Sequence, residues 1–506
     1  MRIGALVPLL FLVACRTLPA DLPPTPPDHA LAPAAAGSLA EVERTFRARV
    51  GDERSGFQLL DWNGDALRWR LALIDSATSS LDLQYYLWYG DASGNLLAEA
   101  VLRAADRGVR VRVLVDDLLS SGEKDLVFAA ANAHPNVEIR LFNPWQTRSG
   151  GPLSRGVEFL GRMDRLNSRM HNKLVVADNR VAICGGRNLG DHYFGLAHRY
   201  NFHDLDLLAV GPAARKLSKA FDTYWNTAPV VVAGKLAEGS VEELERLREE
   251  NRRSLAAAQD LSGFPRGRSD WSEELRELPA TLHPGTARPV YDVPGTETVA
   301  NGSSRAGILQ AIDEARQEIL VENAYWVPNE ASIAYLRELD ERGVRVRFLT
   351  NSLASHDVPA VNGGYKKWRK PILEAGVELY ELRHDAAVKA RQDTPPVESE
   401  FLGLHAKTFV VDRKVAYVGS HNFDPRSHEI NTELGLLVES PGLAQALAQR
   451  IESDMRGENS WRVELDDQGK LFWQAGDVRV ERQPARNGWQ RFQDAIFGIL
   501  PIEKQL

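Results

Sequence analysis

One pattern occurs twice in this chain. His171-Asn172-Lys173 is followed by Asp178, and His405-Ala406-Lys407 is followed by Asp412. An asparagine stands 17 residues after each histidine, Asn188 and Asn422, behind the glycine-containing turns Gly185-Gly186-Arg187 and Gly419-Ser420-His421. A single His-x-Lys pair constrains little. Two copies with the same internal spacing call for two matching halves that share one site.

The chemistry follows from the spacing. Leu174-Val175-Val176-Ala177 and Thr408-Phe409-Val410-Val411 are apolar and rich in β-branched residues, so each motif is predicted to be a buried strand. Side chains at i and i+2 share a strand face, which points each histidine and its lysine the same way. A second strand follows each motif (Val181 to Cys184, Val415 to Val418), and the turn after it carries the asparagine back. Imidazole, ammonium and amide then converge, a nucleophile with donors for an anionic tetrahedral substrate such as a phosphodiester.

These residues resemble the phospholipase D superfamily, whose signature is the duplicated His-x-Lys-x4-Asp motif with a later Gly-Gly/Ser-x-Asn. Within it, Arg169-Met170-His171-Asn172-Lys173, Gly186-Arg187-Asn188-Leu189-Gly190-Asp191 and Asn422-Phe423-Asp424-Pro425-Arg426-Ser427 resemble the bacterial cardiolipin synthase C type. The resemblance runs over roughly residues 56 to 506. It implies a metal-free and cofactor-free site of His171, Lys173, Asn188, His405, Lys407 and Asn422, with His171 as nucleophile and His405 as acid and base. It also implies an acidic residue behind each catalytic histidine. Alignment of the halves pairs Asp204 with Glu433 for that role, with Asp206 as a rival in the first half. Asp178 and Asp412, facing away from the lysines, are expected to tie down nearby backbone.

The duplication extends beyond the motifs. Ile74-Asp75 and Trp88 match Ile312-Asp313 and Trp326 at an offset of 238, Arg107 to Arg112 match Arg342 to Arg347 at 235, and the histidines match at 234. Helix and strand alternate in each half, so the fold class expected is α/β: two duplicated α/β/α-sandwich lobes about a pseudo-two-fold, shared site. Strands are predicted near 81–87, 109–115, 137–142, 171–177, 180–185 and 205–210, and again near 318–324, 344–350, 377–382, 405–411, 414–419 and 434–438. The divisions expected are a signal peptide at 1–15, a Pro/Ala-rich tether and entry segment over 16–55, lobes at 56–235 and 286–475, a linker with a charged helix at 236–285, and an amphipathic tail at 476–506.

Charge and the N-terminus bear on partners. With 43% apolar and 26% charged residues the composition is that of a globular protein, and the formal charge of −8 without a basic run argues against a nucleic-acid substrate. Arg2 and the short apolar run Ile3 to Val13 have the shape of a signal peptide. Leu12-Val13-Ala14-Cys15 resembles the bacterial lipoprotein box, which implies lipidation of Cys15 and anchoring on the periplasmic side of a membrane. Arg16, in place of an aspartate, directs the expectation to the outer membrane. Cys184 is expected to be a small core residue. His134, His283, His356 and His384 read as loop residues, whereas His192, His203, His421 and His428 are candidates to line the cleft.

The function implied is transfer of a phosphatidyl group from a glycerophospholipid donor to a lipid-alcohol acceptor, forming cardiolipin through a phosphohistidine. Phospholipase D hydrolysis and a nuclease of the same superfamily are the enzymatic alternatives, and a non-catalytic lipid-binding protein is the alternative of another class. No obligate protein partner is implied. In the tail, Trp489, Phe492, Ile496, Ile499 and Leu500 recur at spacings of three and four, an amphipathic helix ended by Pro501. Its apolar face is expected either to pack on the second lobe or to meet a bilayer.

Overall fold

The computed structural model describes residues 18, 25–118, 122–148, 155, 156, 158, 161–294 and 303–498. The first half supplies β1 (Ser55–Leu60), β2 (Ser80–Tyr85), β3 (Arg110–Asp116), β4 (Val137–Phe142), β5 (Lys173–Ala177), β6 (Val181–Gly185), β7 (Tyr200–His203), β8 (Asp206–Val210) and β9 (Val230–Val232). The second supplies β10 (His283–Tyr291), β11 (Glu318–Asn323), β12 (Arg345–Asn351), β13 (Glu378–Leu382), β14 (Phe401–Leu404), β15 (Lys407–Val411), β16 (Val415–Gly419), β17 (Leu434–Glu439), β18 (Ser460–Leu465), β19 (Leu471–Ala475) and β20 (Val478–Val480).

Eighteen of these strands form one continuous sheet, and its order shows the duplication. Hydrogen bonding runs β9-β4-β3-β2-β5-β6-β8-β1 and then β10-β17-β16-β15-β11-β12-β13-β18-β19-β20. The pseudo-two-fold passes between β1 and β10, antiparallel with Ser55 opposite Gly285 and Phe57 opposite His283. In each lobe three strands are parallel (β2-β3-β4, β11-β12-β13), and the motif strand joins them antiparallel (β5 on β2, β15 on β11).

The core has three parts. One cluster lies under the helices Asn63–Ser76 and Ala92–Asp106 of the first lobe, another in the outer layer of the second. The third contains residues of both lobes, among them Phe221 and Trp225 from the helix Pro212–Trp225 and Leu447 and Ile451 from the helix Pro441–Asp454. Helices on both sheet faces leave the central strands buried throughout, so they read as unbroken apolar runs. Cys184 belongs to this shared core, where burial pushes its thiol up.

Several expectations are corrected. The expected linker ends too late, because β10 starts at His283 and joins the lobes; Pro284, Gly285 and Pro289 disguise it as loop. The charged helix, Val241–Ala257, is docked by its other face: Glu242, Glu245 and Arg246 are exposed, while Leu244 and Leu255 are buried in the first lobe's core and Arg248 pairs with Asp106. Much of the expected tether is fixed. Asp28 exchanges hydrogen bonds with Asn226 and pairs with Arg110, and Ala34 N donates to Asp178 O. Cys15, like Ile499, Leu500 and Pro501, lies outside the described residues. The tail helix, Gly488–Phe497, does not pack by its apolar face: Gln490 and Asp494 are buried, while Trp489, Phe492 and Ile496 are exposed.

Candidate active site

The two motifs meet at the C-terminal ends of β2 and β11, and each histidine sits in a lead-in to its strand. Regular strand begins at Lys173 and Lys407, two residues on. The lead-ins are bound to the opposite lobe. His171 N donates to Thr432 O, and His405 N donates to His203 O, both at 2.8 Å. β14 extends the second contact by pairing in parallel with β7, and Met170 bridges Thr432 in the equivalent place.

This crossing delivers the acidic residues. Asp204 follows β7 and places Oδ2 2.6 Å from His405 Nδ1; Glu433 precedes β17 and places Oε2 2.9 Å from His171 Nδ1. Each carboxylate therefore backs the histidine of the other lobe. A carboxylate selects the Nδ1–H tautomer, which leaves Nε2 with a lone pair. Ser420 Oγ also donates to Glu433, and Ser420 O lies 3.2 Å from His171 Nδ1. Asp206, the rival, is engaged elsewhere, in ion pairs with Arg70 and Arg187.

Lys173 Nζ donates to His171 O at 2.6 Å, and Lys407 Nζ donates to His405 O. Each ammonium also stands over a tyrosine ring, Tyr86 at 5.4 Å and Tyr325 at 5.6 Å. Asn188 Nδ2 donates to Tyr193 OH, and its Oδ1 accepts from Leu87 N. The two remaining motif aspartates hold backbone: Asp178 accepts from the N–H groups of Thr78, Ser79 and Ser80, and Asp412 from those of Arg316, Gln317 and Glu318.

His171, His405, Asn188 and Asn422 line one cavity of ≈410 Å³; the lysines are held to the carbonyls of those histidines and the carboxylates stand at their Nδ1 atoms. Its walls are aromatic, with Tyr86 edge-on to His171 at 4.9 Å and Tyr193 edge-on to His405 at 5.2 Å. Burial, with Lys173 and Lys407 close by, holds His171 well below its ordinary value. Burial and Lys407 bring His405 down to about 4 against the pull of Asp204. Burial also brings Lys407 to about 8 and Lys173 well down. Burial pushes Glu433 well up, whereas the charge of His405 and its hydrogen bond overcome burial to keep Asp204 low. Cationic groups thus crowd one another, which favours an anionic guest.

The other histidines divide. His192 lines the cavity. His203 does not; it is buried with Glu322 and Asp454, a potential three-ligand cation cluster. Arg450 already sits in that cluster, paired with Glu322 and Asp454 and 3.1 Å from His203 Nε2. His421 and His428, 3.0 Å apart, line a neighbouring cavity of ≈360 Å³ in the second lobe. His356, read as a loop residue, stacks on Tyr325 beside Asp357, whose carboxylate accepts from Tyr325 OH at 2.8 Å. Sequence reasoning missed Tyr86, Tyr193, Tyr325, Asp357 and Ser420. The aromatic clusters Tyr85-Tyr86-Leu87-Trp88-Tyr89, across the end of one predicted strand, and Tyr325-Trp326, directly after another, were the available signal.

Comparison with known proteins gives the family. The family model described as "Cardiolipin synthase, PLD-like domain" matches residues 71–225 and 308–455, one match in each lobe. The cardiolipin synthase C of Escherichia coli is 35% identical over 456 residues, covering 87% of this chain and 93% of its own length. A cardiolipin synthase of Staphylococcus aureus is 23% identical over 435 residues, 84% of this chain and 69% of its own. Among solved structures, the phosphatidylserine synthase of Haemophilus influenzae shares the fold with a TM-score of 0.53 at 14% identity, over 83% of this chain and 91% of that one. With a duplicated sheet, paired His-x-Lys motifs in one cavity and a family match in both lobes, the chain belongs to the cardiolipin synthase family of phospholipase D-like proteins.

Proposed function

We propose that this protein is a phosphatidyltransferase that forms cardiolipin from glycerophospholipids. The observation that carries the reading is the crossed pair of carboxylate-backed histidines, His171–Glu433 and His405–Asp204, facing one cavity. Its relatives in Escherichia coli and Staphylococcus aureus are named cardiolipin synthases.

In the proposed reaction His171 Nε2 attacks phosphorus of the donor lipid. The bond from phosphorus to the leaving alcohol oxygen breaks, and that oxygen takes a proton from His405. His405 is neutral at pH 7 in the free protein. The phosphodiester anion supplies the negative charge that raises its proton affinity between two lysines, so substrate binding arms the acid. Lys173, Lys407, Asn188 and Asn422 surround the non-bridging oxygens as charge develops. The acceptor, a lipid alcohol such as phosphatidylglycerol, then gives its hydroxyl proton to His405 as its oxygen attacks phosphorus, and His171 departs. Asp204 and Glu433 hold tautomer and orientation throughout.

The test is to incubate purified protein with defined phospholipids and resolve the products by mass. Cardiolipin with release of the donor's headgroup alcohol is expected. Phosphatidic acid as the main product would replace transferase by hydrolase, and cleavage of nucleic acid with intact lipid would replace both.

We further propose that the chain is a lipoprotein held on the periplasmic side of the outer membrane through acylated Cys15. Supporting this are the apolar run and box at the N-terminus. Cys15→Ser is expected to leave the membrane fraction or accumulate unprocessed; normal processing and attachment would sink the proposal.

A further inference from the structure

We infer that the tail helix Gly488–Phe497 is a second, non-covalent membrane contact that sets the active-site mouth against an anionic bilayer; this rests on the phospholipid substrate proposed above. A helix on a globular surface ordinarily buries its apolar stripe and gives its polar face to water. This one is reversed. Gln490 and Asp494 are each 3% exposed, whereas Trp489 is 64%, Phe492 54% and Ile496 43% exposed.

The polar face is built into the second lobe. Asp494 accepts hydrogen bonds from Asn362 and Gln483 and pairs with Lys366 at 3.0 Å. Gln490 donates to Leu353 O and accepts from Arg486 N, and the Asn487 side chain caps the first turn by accepting from Gln490 N at 2.9 Å. These partners fix the helix in rotation, so the aromatic side is held outward. Trp489 and Phe492 stack on each other with ring centres 5.4 Å apart and form one plate.

Position and charge identify what the plate meets. Asn362 belongs to the helix Pro359–Tyr365, and Val358 and Val361 at its start form part of the cavity wall. Arg486 lies 3.6 Å over the Phe401 ring, and Phe401 stacks on Tyr200, which also lines the cavity. The plate therefore lies at the mouth, where a diacyl substrate must leave its bilayer. Residues 479–498 carry four arginines against Glu481 and the already paired Asp494, in a chain of net charge −8. Arg486 is engaged on Phe401 and Arg479 on Phe472, which leaves the exposed Arg482 and Arg491 beside the aromatic plate in the chain; exposed aromatics with neighbouring cations suit the headgroup region of an anionic membrane. Leu18 N donates to Gln146 O, just past the C-terminal end of β4, whose neighbour β3 ends in Asp116, the acceptor for Met170 N beside His171.

The test uses the full chain carrying Cys15→Ser, so that no acyl anchor masks a weaker contact, with and without Trp489→Ser, Phe492→Ser and Ile496→Ser together. Sedimentation is measured with phosphatidylglycerol/phosphatidylethanolamine vesicles and with phosphatidylcholine vesicles, alongside turnover of vesicle and of dihexanoyl phosphatidylglycerol. The triple variant is expected to lose about tenfold in binding to anionic vesicles and in kcat/KM on them, with unchanged melting and unchanged turnover of the soluble lipid. Equal loss on both substrates, or a lowered melting temperature, would make the helix part of the fold and overturn the inference. Unchanged vesicle binding would also overturn it, and self-association lost in the variant would then assign the plate to a second copy of the chain. If the parent protein turns over neither lipid, the proposed function fails, while vesicle sedimentation still decides the helix.

Discussion

His405 Nδ1 lies 2.6 Å from Oδ2 of Asp204, a residue 201 positions earlier and on the opposite lobe. The reverse contact, His171 with Glu433, makes the two lobes mutually dependent, since neither holds a backed histidine by itself. Asp204→Asn is expected to keep the fold, because the amide fills the same space, and to lower kcat by ~10⁴-fold by favouring the wrong imidazole tautomer. Steady-state kinetics beside a thermal melt decide it. A folded variant at wild-type kcat would remove the crossed pair from the mechanism.

The two histidines differ in their surroundings. The negative charge of Asp204 stays beside His405, while burial pushes Glu433 toward its neutral form beside His171. With His171 as nucleophile, His405→Ala should still be phosphorylated by a donor whose leaving alcohol needs no protonation. Mass analysis of the quenched protein should then place the phosphatidyl group on the peptide containing His171. An adduct on His405 in the His171→Ala protein would reverse the roles.

Burial and Lys407 hold His405 at about 4, against ~6.5 for an unperturbed imidazole. Because the folded value is depressed, the unfolded chain binds more protons between these two pH values. The stability contribution is complete above pH ~6.5 and is lost as the pH falls toward 4, to a limit of ~3 kcal/mol. Wild-type protein should accordingly lose more unfolding free energy between pH 6.5 and 4 than His405→Gln does. Parallel denaturant midpoints across that window would contradict the buried neutral imidazole.

Asp178 and Asp412 share the motif but not the cavity. Asp178 takes three backbone N–H groups and the hydroxyl of Thr78, and so fixes the start of β2 from the β5–β6 turn. Asp178→Ala leaves these donors without their shared acceptor and is expected to lower stability by ~2–4 kcal/mol. The kcat per folded molecule should stay within about twofold, because Asp178 stands past the far end of β5 from Lys173 and does not line the cavity. Loss of kcat with an unchanged melt would move Asp178 into the chemistry.

The sequence was most legible where structure is local. β4 runs over Val137–Phe142 as predicted, and the other predicted strands lie within two residues, because apolar residues alternate with polar ones in β2, β3 and β4 and run unbroken through most of β5 and β15. Pairing across the lobes was invisible. Symmetry alone allowed Asp204 to back His171 as readily as His405; only the contact of β7 with β14 makes the choice. Tyr86 and Tyr325 come from adjacent, not identical, places in the repeat, since Tyr85 faces Lys173 across the ladder where Asn323 faces Lys407. Helical spacing in the tail located an apolar stripe but could not say which face docks; that is decided by the partners of Asp494.

Activity should survive a strong chelator. The charge that builds on the phosphoryl oxygens is met by Lys173 and Lys407, each buried within reach of its own histidine's carbonyl, and by the amides of Asn188 and Asn422. The one potential three-ligand cation cluster among the described residues, His203, Glu322 and Asp454, holds the guanidinium of Arg450 in a cation's place. Millimolar EDTA should therefore leave kcat and KM within about twofold. Inactivation by EDTA that a divalent cation reverses would put a metal in the reaction. Arg450→Met provides the control: it vacates the cluster without touching the cavity, so any metal-dependent change in melting temperature should appear in this variant and not in the wild type.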